Sequence, residues 1–443
     1  MKNILRYFIL IFFLFVTANG FSQNQSLKFE HIGTSEGLSQ INVICIMQDS
    51  RGFMWIGTRD GLNRYDGYKF IVYNHSFQDA NTISNNQIAD IAEDNAGNIW
   101  VATLSGLNKL ERKTGRFVRY LHNNNNINSI SSNATNKLAL DSYGNIWIAT
   151  QKGGLDCLDP KTNSFRHFVH SESDPNSISD NNVSAVFEDS QRNLWVGTLS
   201  GGLNLFNRKN NSFSKYRHSV AANSISSDNI NCIFEDKDHR IWIGTHDQGV
   251  NLFDPLKGTF RRYQHNNKDQ NSLSSDAVYS INMDETGKLW VGTENGGVSI
   301  LNIGKDRFTN FEHDDIDKNS IDGNSIYTIC RDRLNNMWLG AFSGGINLLK
   351  RSTKSFAHYR HSLSPNSLSN NFVLDLYEDA NKNLWVGTDG GGVDLFNQEN
   401  GAVKHYKQQP AGKNGICGNY VLTVDQDAEG DFWFGTWADG VSV

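Results

Sequence analysis

The chain has 443 residues, of which 39 are glycine and only five proline, and 38% are hydrophobic, 11% aromatic and 20% charged. That is ample apolar material for a packed core, and it excludes wholesale disorder. The formal net charge of -6, with both signs scattered and no long basic run, leaves no electrostatic footprint for nucleic acid or for an anionic membrane surface.

At the N-terminus, Lys2 and Arg6 precede an apolar run from Tyr7 to Val16, and small or polar residues follow through Ser22. This is the pattern of a secretory signal peptide over residues 1–22, cleaved after Gly20, with Ala18 at the matching upstream position, or after Ser22. The run is short for a membrane anchor, and no later segment is apolar enough to span a bilayer, so an exported, periplasmic protein is expected. Five cysteines (Cys45, Cys157, Cys232, Cys330 and Cys417) lie far apart and give neither a disulfide framework nor a metal spacing. Cys45, Cys232 and Cys330 stand eight to ten residues before a repeat tryptophan, in strand positions, and read as small buried hydrophobes.

From here the chain is periodic. Nine tryptophans, at 55, 100, 147, 195, 242, 290, 338, 385 and 433, are separated by 45 to 48 residues, and each is followed by an apolar residue and a small pair, as in Trp195-Val196-Gly197-Thr198. Six positions before each stands an aspartate: Asp49, Asp94, Asp141, Asp189, Asp236, Asp284, Asp332, Asp379 and Asp427. Within a repeat, Val183–Phe187, Asn193–Gly197, Leu203–Phe206 and Phe213–Tyr216 are short alternating segments bounded by turn residues. Four short antiparallel strands in about 47 residues, repeated, make the blade of an all-β propeller. The aspartate opens a turn such as Asp94-Asn95-Ala96-Gly97, the tryptophan fills the space between blades, and the Gly-Gly pairs mark a sharp bend.

Seven histidines (His75, His122, His170, His218, His265, His313 and His361) also recur once per repeat. Symmetry spreads such positions around a rim, whereas a metal needs ligands about 2 Å away, so they read as structural. No metal and no cofactor is expected.

Units such as Asn182–Asp189, Asn193–Thr198, Gly201-Gly202-Leu203-Asn204 and Phe213–His218 closely resemble the two-component regulator propeller repeat, over roughly residues 27 to 443. The resemblance implies the extracytoplasmic, ligand-sensing part of a hybrid sensor. Many such sensors detect oligosaccharides, and a cytoplasmic histidine kinase follows the membrane segment in the parent; homodimerisation is compatible with this. The family's tandem seven-bladed propellers imply one propeller over residues 23–362 and the first two blades of a second over 363–443, cut short at Val441-Ser442-Val443. An alternative is a single nine-bladed ring over 23–443, because Leu27–His31 resembles a spare outer strand and the ninth repeat lacks one.

The turn between second and third strands shares a face with the blade-to-blade connections, the usual binding surface of a propeller. There the residue after each Gly-Thr-like pair refuses to repeat: Arg59, Leu104, Gln151, Leu199, His246, Glu294, Phe342, Asp389 and Trp437. A sugar site needs a flat aromatic and bidentate polar groups, and Arg59, Gln151, His246, Glu294, Phe342 and Trp437 supply those types. Two other functions compete with sensing: a secreted propeller enzyme acting on polysaccharides, as lyase or glycosidase, and a scaffold for protein partners. No cluster of catalytic type stands outside the repeat, and His167, His239, His358 and His405 fall singly on different blades.

Overall fold

The computed structural model describes residues 27–255, 257–351, 359–361, 367–397, 402–410 and 415–443. The expected signal peptide, and His358, lie outside them. Among the described residues the chain is all β, with eight four-stranded sheets, one three-stranded sheet and a single 3-10 turn at Thr34–Glu36. It divides into two compact units, residues 1–351 and 352–443.

The first unit holds seven of the sheets. Six of them are meanders, exemplified by Val183–Glu188, Leu194–Thr198, Leu203–Asn207 and Ser212–Tyr216 from inside to outside, and the seventh takes its outer strand from the start of the chain. The inner strands touch in sequence around the ring, and that of the seventh blade (Ile326–Arg331) meets that of the first (Val43–Gln48). The segment expected as a spare outer strand contributes Glu30–Ile32 to this closure, pairing antiparallel with Ile346–Leu349 of the seventh sheet. Trp338 packs in one core with Ile46, Met54 and Ile56 across the same junction.

The second strand of each blade in this unit is buried along its whole length. Its tryptophan packs on the next blade: Trp147 lies edge-on to Phe206 at 5.2 Å and Trp195 to Phe253 at 5.4 Å. Each repeat aspartate accepts backbone N–H groups with one oxygen and the tryptophan indole N–H with the other. For Asp189 these bonds run from Gln191 N, Asn193 N and Trp195 Nε1, at 2.8 to 3.0 Å. Gly202 has φ +78°, and a Cβ there would stand 2.4 Å from the Tyr216 carbonyl oxygen, so the sharp bend before the third strand demands glycine.

The periodic histidines pin the connections between blades. Their Nδ1 atoms lie 2.7 to 3.0 Å from the carbonyl oxygens of Ile83, Ile130, Ile178, Ile225, Leu273, Ile321 and Leu368 respectively. No metal-competent cluster occurs among the described residues. The five cysteines are free, and burial pushes the Cys232 and Cys330 thiols up to about 12.

The second unit contains a four-stranded sheet, with inner strand Val373–Glu378, and a three-stranded sheet of Val421–Gln426, Phe432–Thr436 and Val441–Ser442. The same Asp–Trp bond recurs there, from Trp385 to Asp379 and from Trp433 to Asp427.

Candidate functional site

Every inner strand of the first unit slips register by one residue near its start, for example between Val183 and Ala185 or between Val278 and Ser280. Such a bulge leaves the intervening side chain unpaired and re-aims it. The skipped residues are Ile44, Ala89, Asn136, Ser184, Asn231, Tyr279 and Tyr327, one per blade. All seven line a single cavity of about 450 Å³ at the mouth of the ring, together with Lys137, Gln151, Asn182 and Leu199.

The turn residues meet this ring of bulge residues from above. Their backbone N–H groups bond the connection that leads into the inner strand of their own blade, as in Arg59 N to Asn42 O and Phe342 N to Ser325 O. The third strand then ties to the following blade, and Gly345 N to Ile41 O carries this ladder across the closure. The turns are thus fixed around one opening.

Four of the six candidate residues meet along one wall. The Arg59 guanidinium lies 4.5 Å from the centre of the Phe342 ring, and Phe342 is 5.0 Å from Tyr327. Tyr327 stacks on Tyr279 at 4.2 Å and 6°, and Tyr279 meets His246 edge-on at 6.0 Å. Glu294 accepts from both tyrosine hydroxyls, at 3.5 and 3.4 Å. Burial, with Tyr327 and Glu294 alongside, raises the Tyr279 hydroxyl well above its ordinary range, and burial with Glu294 raises that of Tyr327. Both remain neutral donors to Glu294, and the wall they build is aromatic.

Gln151 lies across the opening, its Nε2 donating to Asn136 Oδ1 at 3.0 Å. Trp437 belongs to the second unit, where its side chain is exposed and its backbone N–H donates to Tyr420 O. The two tyrosines at the centre of the wall were missed from the sequence. Their signal was there: behind the β-branched residue that opens each inner strand (Val, Ile or, in one blade, Thr135), the next position changes from blade to blade.

The two component regulator propeller repeat matches at residues 37–60, 82–105, 177–200, 224–247, 272–295, 320–343 and 367–390, each span joining an inner-strand entry to the turn beyond the repeat tryptophan. A histidine kinase of Formosa agariphila is 42% identical over 84 residues, which are 19% of this chain and 6% of that protein. Among solved structures, an extracellular domain assigned to a hybrid two component system of B. thetaiotaomicron superposes with a TM-score of 0.64 at 29% identity. The match covers 94% of this chain and 53% of that one, so the chain spans about half the length of that relative. Virginiamycin B lyase from Staphylococcus aureus, at 14% identity and a TM-score of 0.54 over 73% of this chain and 99% of its own, shares the fold alone. Among the described residues no helix is long and apolar enough to cross a membrane. Repeat, blade and ring agree, and the chain carries seven matched copies of the two-component regulator propeller repeat.

Proposed function

We propose that the chain is the extracytoplasmic ligand-sensing region of a two-component sensor, and that the mouth of its first propeller binds an oligosaccharide. The observation that carries this is the convergence of turn and bulge residues on one opening, where an aromatic wall from His246 to Arg59 faces Gln151, Asn136 and Ser184. A pyranose has an apolar face and a hydroxyl edge, and such a cleft offers a partner for each. In this reading the second unit opens a second propeller, a membrane-linked histidine kinase lies beyond this chain in the parent, and export delivers the propellers to the periplasm. Ligand binding would bias the kinase by favouring one packing of the propellers, which requires only different affinities for the two states.

Thermal melts of the protein against a panel of oligosaccharides test the binding claim. A ligand at a hundredfold excess over Kd stabilises by about 2.7 kcal/mol, so a true ligand raises Tm by a few degrees. A panel without one such ligand overturns the oligosaccharide reading. Binding that survives Tyr327→Ala at full strength overturns the choice of site.

A further inference from the structure

We infer that the sugar entering the mouth carries an anionic substituent, a carboxylate or a sulfate, held by Lys137. This rests on the mouth being the oligosaccharide site proposed above, and it names the chemical class of that ligand.

Lys137 is the third residue of its inner strand, directly after the bulge residue Asn136, and it is the charged side chain among those lining the cavity. The polar bulge residues beside it are committed to the ring itself. Asn136 Nδ2 donates to Val183 O at 2.7 Å, Asn231 Nδ2 donates to Val278 O at 2.9 Å, and the Ser184 hydroxyl spends its one hydrogen on Ile230 O. Across the opening the tyrosine hydroxyls reach Glu294 only at 3.5 and 3.4 Å, so the firm commitments are those of the asparagines and the serine. Much of the neutral donor capacity of the cavity is therefore already used in holding the blades together.

The Lys137 ammonium is different. It has three donor hydrogens, and its partner Asp90 Oδ1 stands at 3.5 Å, the outer limit of a hydrogen bond. Asp90 is itself held from behind, its Oδ2 accepting the Leu138 N–H at 2.9 Å. The lysine side chain keeps 37% of its surface exposed toward the cavity. Burial in the channel works against its charge, but Asp90 outweighs this and the pKa is raised, so the group is a full cation at neutral pH. An ammonium with donors to spare, in a concave site whose other donors are largely taken, selects an oxyanion. Arg59 adds a second cation on the aromatic wall, so that the two carboxylates near the opening, Asp90 and Glu294, are matched by two cations.

Calorimetric titration against matched pairs tests this: each uronate oligosaccharide with its methyl ester, and each sulfated oligosaccharide with its desulfated parent. The acidic member of a bound pair is expected to bind at least about tenfold more tightly, and the uronate and sulfate arms say which oxyanion it is. Lys137→Gln should remove the difference within a pair, bringing the acidic member down to its neutral partner, while Lys137→Arg keeps the preference. Equal binding within pairs by the unaltered protein, or a preference that survives Lys137→Gln, overturns the inference, and the first of these needs no variant to fold. Neutral sugars that bind and lose affinity in Phe342→Ala would leave the oligosaccharide site standing while this inference falls. A panel in which nothing binds removes both.

Discussion

The Asp–Trp bond is the residue-scale unit of this fold. Read from the sequence, the aspartate was a turn former. It is that, but its second oxygen also takes the indole N–H of a tryptophan on the strand that the turn launches, a pairing that needs the strand to run back over the turn. Trp195→Ala should cost about 3–5 kcal/mol as a large-to-small core change. Asp189→Ala removes a buried charged acceptor from several donors and should cost about 2–3 kcal/mol, close to the tryptophan rather than far below it. Chemical denaturation of both variants checks the ranking, and a negligible cost for Asp189→Ala would contradict it. His167 gives a second test. Its Nδ1 lies 2.6 Å from Asp156 Oδ1 and its Nε2 2.9 Å from Ile127 O, so both nitrogens face acceptors. The bond to Asp156 raises its pKa above 6.5 against the effect of burial. A raised folded pKa means that the stabilisation is full below the unfolded value of about 6.5 and is lost as pH rises through the folded one. The Tm at about pH 5.5 minus that at about pH 8.5 should therefore be lower in His167→Gln than in the unaltered protein. An unchanged difference would show that the imidazolium carries none of the effect.

At the scale of the element, the four strands of a blade were legible because alternation, turn residues and the tryptophan each mark them independently. The bulge was not, since a one-residue slip leaves the apolar pattern of any single repeat intact. That is why the turn residues Arg59, Phe342, Glu294 and His246 were found while Tyr279 and Tyr327, between them in space, were missed. The closing strand is a different matter. Leu27–His31 was legible as an outer strand, but its partner was not, because a strand's own sequence does not name the edge that it will cover. With Glu30–Ile32 paired to Ile346–Leu349, Phe29 is buried beside Trp290, Ile300 and Met337. Phe29→Ala should then cost about 3–5 kcal/mol although it lies near the start of the described chain. Phe77, 98% exposed, is the control, and Phe77→Ala should stay within about 0.5 kcal/mol. Unfolding in denaturant measures both, and equal small costs would mean that the N-terminal strand does not seal the ring.

Over the whole molecule, nine similar repeats serve two ends, and the two are separable because they use different positions. Positions that recur, such as the aspartates, tryptophans and histidines, hold blades and connections, whereas positions that vary converge on one opening in the first unit. Stability should thus follow the recurring set and binding the varying set. Arg59 and Phe342 make this testable, since they touch each other and the tyrosine wall but sit in turns at the rim of the core. Arg59→Ala or Phe342→Ala should weaken ligand binding by about 1 kcal/mol or more, roughly fivefold, for the loss of a cation–π or stacking surface, while Tm moves by no more than a degree or two. Trp437 occupies the equivalent turn in the second unit, and the wall is complete without it, so Trp437→Ala should leave the affinity within about twofold. Calorimetry of the three variants against one ligand decides the matter. If Trp437→Ala alone abolished binding, the site would belong to the second unit, and the convergence of varying positions on the first would be a feature of its packing.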